Sequence, residues 1–250
     1  MIKFFREIRH KLLSENKLSK YLLYAIGEIA LVMIGILLAL QVSNWNDTRL
    51  ARLNEVKTLK QLNVDLKSNL LELKSIDSLI NIRASAGKNI LNHLTENNVV
   101  TDSLKYWVER FGGGNIFNNA NTTYKNLENN KNIIISNDSL RIRITLMYEN
   151  GFANVHRREQ LFNNKLENIY EEQLFKNFKT GNVIDKYFNE LFLELNTPKN
   201  YTDLQKNEDF KTAIVTTYNF RLLRLNWLAL TLTDLETLIN DVEKEIQKLE

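Results

Sequence analysis

The chain has 250 residues, and its 33 basic and 30 acidic side chains balance too evenly to point to nucleic acid. The absence of cysteine excludes disulfides, thiolate metal sites and a cysteine nucleophile together. Eight glycines and one proline, against ordinary usage of about 7% and about 5%, leave few helix breakers, so the expected fold class is all-α.

In chain order, residues 1–20 are a basic leader. Its first residues, MIKFFREIRHKLL, place Phe4, Phe5, Ile8 and Leu12 on one half of a helical wheel and Lys3, Arg6, His10 and Lys11 on the other. Two readings fit this division. One is a short helix lying on the inner leaflet with Phe4, Phe5 and Ile8 inserted; the other is a basic segment that only sets topology.

Residues 21–42, YLLYAIGEIALVMIGILLALQV, carry a single acidic or basic side chain, Glu28. Roughly 20 apolar residues cross ~30 Å of hydrocarbon as a helix, so this run predicts a transmembrane helix over 21–45. The apolar core is too long for a cleaved signal peptide, and a retained signal-anchor is expected. Tyr21 and Trp45 stand at its two edges, where interfacial aromatics hold a span in register. At about 100° per residue Tyr24, Glu28, Val32, Gly35 and Ala39 share one stripe. Gly35 and Ala39 have the small-x-x-x-small spacing that lets helices approach closely. The stripe reads as a packing face with Glu28 neutral or hydrogen-bonded; the alternative is a proton-coupling carboxylate. Lys3, Arg6, Arg9, Lys11, Lys17 and Lys20 precede the span, and only Arg49, Arg52, Lys57 and Lys60 follow it closely. That excess predicts a cytoplasmic N-terminus and an exported C-terminal domain.

Residues 46–250 read as a helical-bundle domain with a loop-rich insert at about 112–137. Leu59, Leu62, Leu66, Leu70, Leu73, Ile76 and Ile80 recur at threes and fours, so the span is expected to continue outward as one long helix to about residue 97. A short helix is expected at 101–111, stopped by Gly112, Gly113 and Gly114. After the N-cap candidates Asn137, Asp138 and Ser139, a long helix carries Leu140, Ile144, Met147, Phe152, Val155, Phe162, Leu166 and Ile169. A short helix at 183–195 follows. Past Pro198, Thr202 and Gln205 suggest a capping box, and Leu225, Leu228, Leu232, Leu235, Ile239, Val242, Ile246 and Leu249 alternate by 3 and 4. The first and last helices of this domain would pair antiparallel. Together these features predict a single transmembrane helix continuing into an elongated antiparallel helical bundle with coiled-coil-like packing.

Catalytic signals are weak. The triple glycine has no Lys-Ser or Lys-Thr after it and no strand before it, so it reads as a helix stop rather than a phosphate loop. His93 with Glu96 and His156 with Glu159 could each offer two ligands on a helix face, but the order is reversed from that of di-iron bundles. Solvated helix surface is the simpler reading of both pairs. Arg141, Arg143, Arg157 and Arg158 are expected to bridge to other helices. No enzyme, cofactor, metal or small-molecule substrate is inferred.

The run MIKFFREIRHKLLSENKLSKYLLYAIGEIALVMIGILLALQVSNWND resembles the start of a family of uncharacterised single-pass membrane proteins from flavobacteria and related Bacteroidota. In that family a basic leader, a YAIGE-type span, an Asn-Trp-Asn exit and a helical domain recur. Thr123, Tyr124, Lys125, Asn126 and Leu127, then Asn132, Ile133, Ile135, Asn137, Asp138, Leu140 and Arg141, look like its mid-chain signature. The resemblance implies an inner-membrane protein and no activity. The expected role is a membrane-anchored interaction or scaffold protein with a periplasmic bundle, partnered by the bilayer and by further copies of itself or a membrane protein. The alternative is a sensory or proton-coupling subunit of a larger envelope complex, using Glu28.

Overall fold

Apolar residues spaced by threes and fours, with few glycines to interrupt them, fold as expected into helices. A computed structural model of the protein describes residues 18–97, 99–130, 135–179 and 197–250. Among these the only strand-like pairing is an isolated antiparallel bridge between Phe178 and Pro198. The helices are α1 (Leu18–Glu96), α2 (Asp102–Phe111), α3 (Thr122–Asn129), α4 (Asp138–Leu146), α5 (Ala153–Leu166), α6 (Glu172–Asn177), α7 (Tyr201–Lys206) and α8 (Glu208–Leu249). Wider π-helical turns at Met147–Phe152 and Glu167–Glu171 join α4 to α5 and α5 to α6. Phe4, Phe5, Ile8 and the short helix expected at 183–195 lie outside the described residues.

The chain divides into two units, Met1–Asn54 and Glu55–Glu250. In the first, α1 is long and apolar enough to cross a membrane, and its most apolar window has no side chain buried within the protein.

In the second unit the C-terminal part of α1 and α8 run antiparallel. Three ion pairs fix their register: Lys60–Glu250, Lys67–Glu243 and Lys74–Glu236, each 2.6 Å. Each step of seven along α1 is matched by seven back along α8, which keeps one seam of each helix facing the other. Leu59, Leu62, Leu66, Leu73, Ile76 and Ile80 from α1 and Leu228, Leu235, Ile239, Val242 and Ile246 from α8 are buried in a shared core. Ile144, Met147, Tyr148 and Phe152 complete it from α4 and the first π turn. A second apolar cluster gathers Ile90, Leu94, Leu104, Val108, Phe111, Tyr170, Phe210 and Ile214.

Caps decide where the helices start. Thr101 and Asn137 accept from the amides of Leu104 and Leu140 at 3.2 and 3.1 Å, and Asn137 was among the expected N-caps. The expected capping box at Thr202 and Gln205 does not form. Asn200 instead caps the short α7, and Asn207 opens α8 by accepting from the Phe210 amide at 2.9 Å. Gln205 is used elsewhere: its amide donates to the carbonyls of Leu94 and Asn97 at 3.1 and 2.7 Å, satisfying open carbonyls at the C-terminal end of α1.

The insert differs from a plain loop, since α3 lies within it and buries Thr123 and Tyr124. Its backbone is held by side chains from α1. Asp65, Asn69 and Glu72, one above another on a helix face, accept from the amides of Thr123, Ala120 and Asn118 at 3.1, 2.6 and 2.9 Å. Asn69 also donates to the Ala120 carbonyl at 2.9 Å, and Glu55 accepts from the Ser136 amide at 2.7 Å. A segment too irregular to pair its own amides is thus satisfied by a polar stripe beside the apolar seam.

Candidate functional site

Helical geometry places Glu28, Val32, Gly35 and Ala39 on one stripe of α1, as the spacing required. Glu28 is half-buried and Val32 is exposed. A side chain added at Gly35 would meet nothing within 4 Å, so this stretch can be approached closely by another helix. Trp45 is also exposed. Tyr21 and Tyr24 occupy helical positions, but their side chains lie outside the described ones.

The more unusual chemistry lies in the second unit, between the two apolar clusters. The inward seam of α8 runs through Phe210, Ile214, Thr217, Arg221, Arg224 and Leu228, so three polar residues occupy positions that the 3-and-4 pattern reserves for the core. Arg224 is buried and forms an ion pair with buried Glu159 of α5. The second carboxylate oxygen of Glu159 accepts from the Phe117 amide at 2.8 Å. Burial opposes the charge on both partners, pushing the Glu159 carboxyl up and the Arg224 guanidinium down from their ordinary ranges.

Arg221 is more deeply enclosed, at 1% exposure. Its Nη2 donates to the Phe111 carbonyl, and its guanidinium lies 4.3 Å from the centroid of the Phe111 ring. Its Nη1 is buried with no hydrogen-bond partner among the described residues. Burial, then the neighbouring Arg83 and Arg224 charges, lower its pKa to about 9, so it stays protonated at neutral pH. A Cβ on Gly87 would collide with the Phe111 ring, so glycine there is what lets the ring close over α1.

The triple glycine belongs to this layer. Half-buried Arg83 of α1 donates from Nη1 to the carbonyls of Gly113 and Gly114 at 3.1 and 3.0 Å and to Asn115 Oδ1 at 2.5 Å. Gly113 has φ of +76°, a conformation that L side chains rarely adopt. The triple glycine therefore ends α2 and also presents its carbonyls to an arginine. Beneath it is a cavity of about 240 Å3, lined by Gly113, Gly114, Asn163, Tyr170, Glu171 and Arg221 among others.

Glu96 is exposed as expected, but His93, His156 and Glu159 are not solvated surface. His93 is buried, its two ring nitrogens each 2.8 Å from a hydroxyl, Thr101 at Nε2 and Tyr201 at Nδ1. Burial lowers its pKa, favouring the neutral ring that can serve one hydroxyl as donor and the other as acceptor. His156 stacks on Phe117 with centroids 5.4 Å apart and reaches Asn119 Oδ1 at 3.0 Å. Among the described residues no group of three His, Asp or Glu side chains converges as a metal site. Of the four arginines expected to bridge helices, Arg143 pairs with Asp241 of α8 and Arg158 lies 4.4 Å over the Trp227 ring. Arg141 and Arg157 instead bond within their own helices, to Asp138 and Asn154.

The family profile that matches the chain covers residues 28–219 and is described as a family of unknown function, DUF6090. The chain belongs to that family. The matched range starts at Glu28 and takes in the insert, Arg83 and Glu159, and it stops just before Arg221 and Arg224. No curated protein and no solved structure matches the chain.

Proposed function

We propose that the protein is a non-enzymatic, membrane-anchored interaction protein. Residues 21–45 cross the inner membrane, the leader is cytoplasmic and the bundle is periplasmic. The observation that carries this reading is the apolar run of α1, whose Leu31, Ile34 and Leu38 remain exposed in the single chain and need lipid or another helix to cover them. On its stripe the small side chains of Gly35 and Ala39 suit contact with a second copy or a membrane partner. Because the chain has no native cysteine, Gly35→Cys and Ala39→Cys variants can be oxidised in membranes without background. Disulfide-linked dimers at these positions, and none from cysteines on the opposite face, are the expected result. Equal crosslinking around the helix would remove the proposed face.

The alternative is a sensory subunit. Three arginines and one glutamate between two apolar clusters are a costly arrangement for a purely structural bundle, since burial opposes every charge. A version in which Glu28 couples proton movement is separated from packing by Glu28→Gln. Intact crosslinking with lost output of the complex supports coupling; unchanged crosslinking and output remove it.

A further inference from the structure

The outward face between α5 and α8 combines exposed apolar side chains with charge of one sign. Lys165 lies 4.9 Å over the Phe220 ring and Arg158 4.4 Å over the Trp227 ring. Seven residues back along α5 are thus matched by seven forward along α8, and the two helices run antiparallel. Arg143 of α4 extends the match by pairing with Asp241. Between these crossings Leu161 of α5 and Leu223 and Leu230 of α8 turn outward, and with Leu146 of α4 each is about half exposed or more. Where α4 gives way to α5, the π turn brings Asn150 and Gly151 to the wall of a groove of about 390 Å3 that Leu146, Trp227 and Leu230 also line. Buried Met147 and Leu238 lie at its base. Single exposed leucines are ordinary, but several around a groove that holds a tryptophan mark an interaction surface.

The charge decides what the surface fits. The one acid of α5, Glu159, is turned inward to Arg224. Its cations Arg157, Arg158 and Lys165 remain, and among the described residues no carboxylate pairs with any of them. Arg157 donates to Asn154 Oδ1 at 2.7 Å, and the other two lie over aromatic rings. Asp234 is the one carboxylate of the groove lining. Two copies anchored in one membrane would pair parallel and set these cations against their own counterparts, which is repulsive. A helix with an apolar stripe and acidic flanks avoids that repulsion, and a groove between antiparallel helices is a shape that receives one.

We propose that the face formed by α4, α5 and α8 is a docking groove for an amphipathic acidic helix of a partner protein. Its apolar stripe would cover Leu161, Leu223, Trp227 and Leu230, with its carboxylates toward Arg157, Arg158 and Lys165. From Phe220 to Leu238 α8 runs about 27 Å, the length of roughly 18 helical residues. The inference rests on the interaction reading and names the surface it would use, but it involves neither Gly35 nor Ala39, so the two faces can fail separately.

The test is fluorescence anisotropy with the full-length chain in phosphatidylcholine nanodiscs, with empty discs as the blank. Three labelled model helices of about 18 residues serve as probes. One carries leucine at threes and fours flanked by glutamate, the second carries lysine in place of glutamate, and the third has the composition of the first with its leucines scrambled off the stripe. Saturable binding of the first, about tenfold tighter than either other, is expected. Leu230 is 64% exposed and Lys165 is exposed, so their replacement spares the fold. Leu230→Ser should weaken binding by about tenfold, the scale of burying one leucine, and Lys165→Glu by roughly two- to fivefold. Val64→Ser, at a comparably exposed position of α1, should leave it unchanged. Absence of saturable binding, equal binding of the lysine or scrambled helix, or indifference to both groove substitutions would overturn the proposal. Self-association of the chain that is lost with Leu230→Ser would overturn it too, by giving the face to a second copy. Glutamate-selective binding in a chain that fails to crosslink at Gly35 and Ala39 would support this groove and remove the membrane face alone.

Discussion

At the residue scale, the buried Arg224–Glu159 pair is expected to matter mainly through what its loss leaves behind. Glu159→Ala strands a guanidinium in the interior and frees the Phe117 amide, so a loss of about 3–5 kcal/mol is expected in urea unfolding of the detergent-solubilised protein. Replacing both partners with apolar residues, Glu159→Leu with Arg224→Met, should recover much of it, because no charge then remains to desolvate. His93 gives a pH signature of definite sign. Burial lowers its folded-state pKa below the ordinary 6.5, so the unfolded chain takes up the proton first. Its stabilising contribution is complete above 6.5 and is lost as the pH falls through the lower folded-state value. Glu159, whose pKa is raised, contributes in the opposite direction above its ordinary 4.5, so wild type must be compared with His93→Gln. The variant should show a flatter loss of stability between about pH 7 and about pH 5 than wild type, and parallel curves would exclude the histidine as a source. None of these roles was legible from composition. His93 and Glu159 each lay three positions from a residue that suggested a metal or a solvated face, and the Tyr201 hydroxyl and the Arg224 guanidinium that bind them come from distant parts of the chain.

At the element scale, periodicity found the helices because leucine and isoleucine at threes and fours report a buried face directly. The seam of α8 shows both the power and the limit of that signal. From Leu225 onward it was readable; upstream the buried face continues through Thr217, Arg221 and Arg224, and polar residues at core positions hide a seam from any apolar count. In hindsight, polar residues in phase with an apolar seam were the available sign of the buried layer. The insert was legible as irregular but not as anchored, since Asp65, Asn69 and Glu72 look like ordinary exposed polar residues until their distant amide partners are seen. Helix starts were missed for a different reason: Asn200 and Asn207 compete with Thr202 as caps within a few residues, and sequence does not say which amide each will reach. Asn207→Ala is expected to cost about 0.5–2 kcal/mol, because it removes the cap of α8 together with a 2.8 Å bond to Asn177. In the ion-pair ladder, Lys67→Glu alone should cost little, since both partners are substantially exposed. Adding Glu243→Lys should restore the loss, and failure to do so would mean that the register rests on the apolar seam alone.

At the scale of the whole molecule, a family of unknown function supplies no activity, and the reading rests on the division of labour along the chain. One unit carries an apolar helix suited to a bilayer; the other carries a helical core with charge buried at its middle. The first was plain in the sequence because twenty-odd consecutive apolar residues have few other uses. The second was not, because it depends on three helices and a glycine turn meeting at one level. The central claim is that the apolar run anchors the protein with its bundle on the outer side of the inner membrane. The most direct measurement is labelling of a Glu250→Cys variant, the sole cysteine in the chain, by a membrane-impermeant maleimide in spheroplasts. Labelling of intact spheroplasts, with the labelled protein resistant to carbonate extraction, is the expected result. Labelling only after lysis, or release of the protein by carbonate, would contradict it.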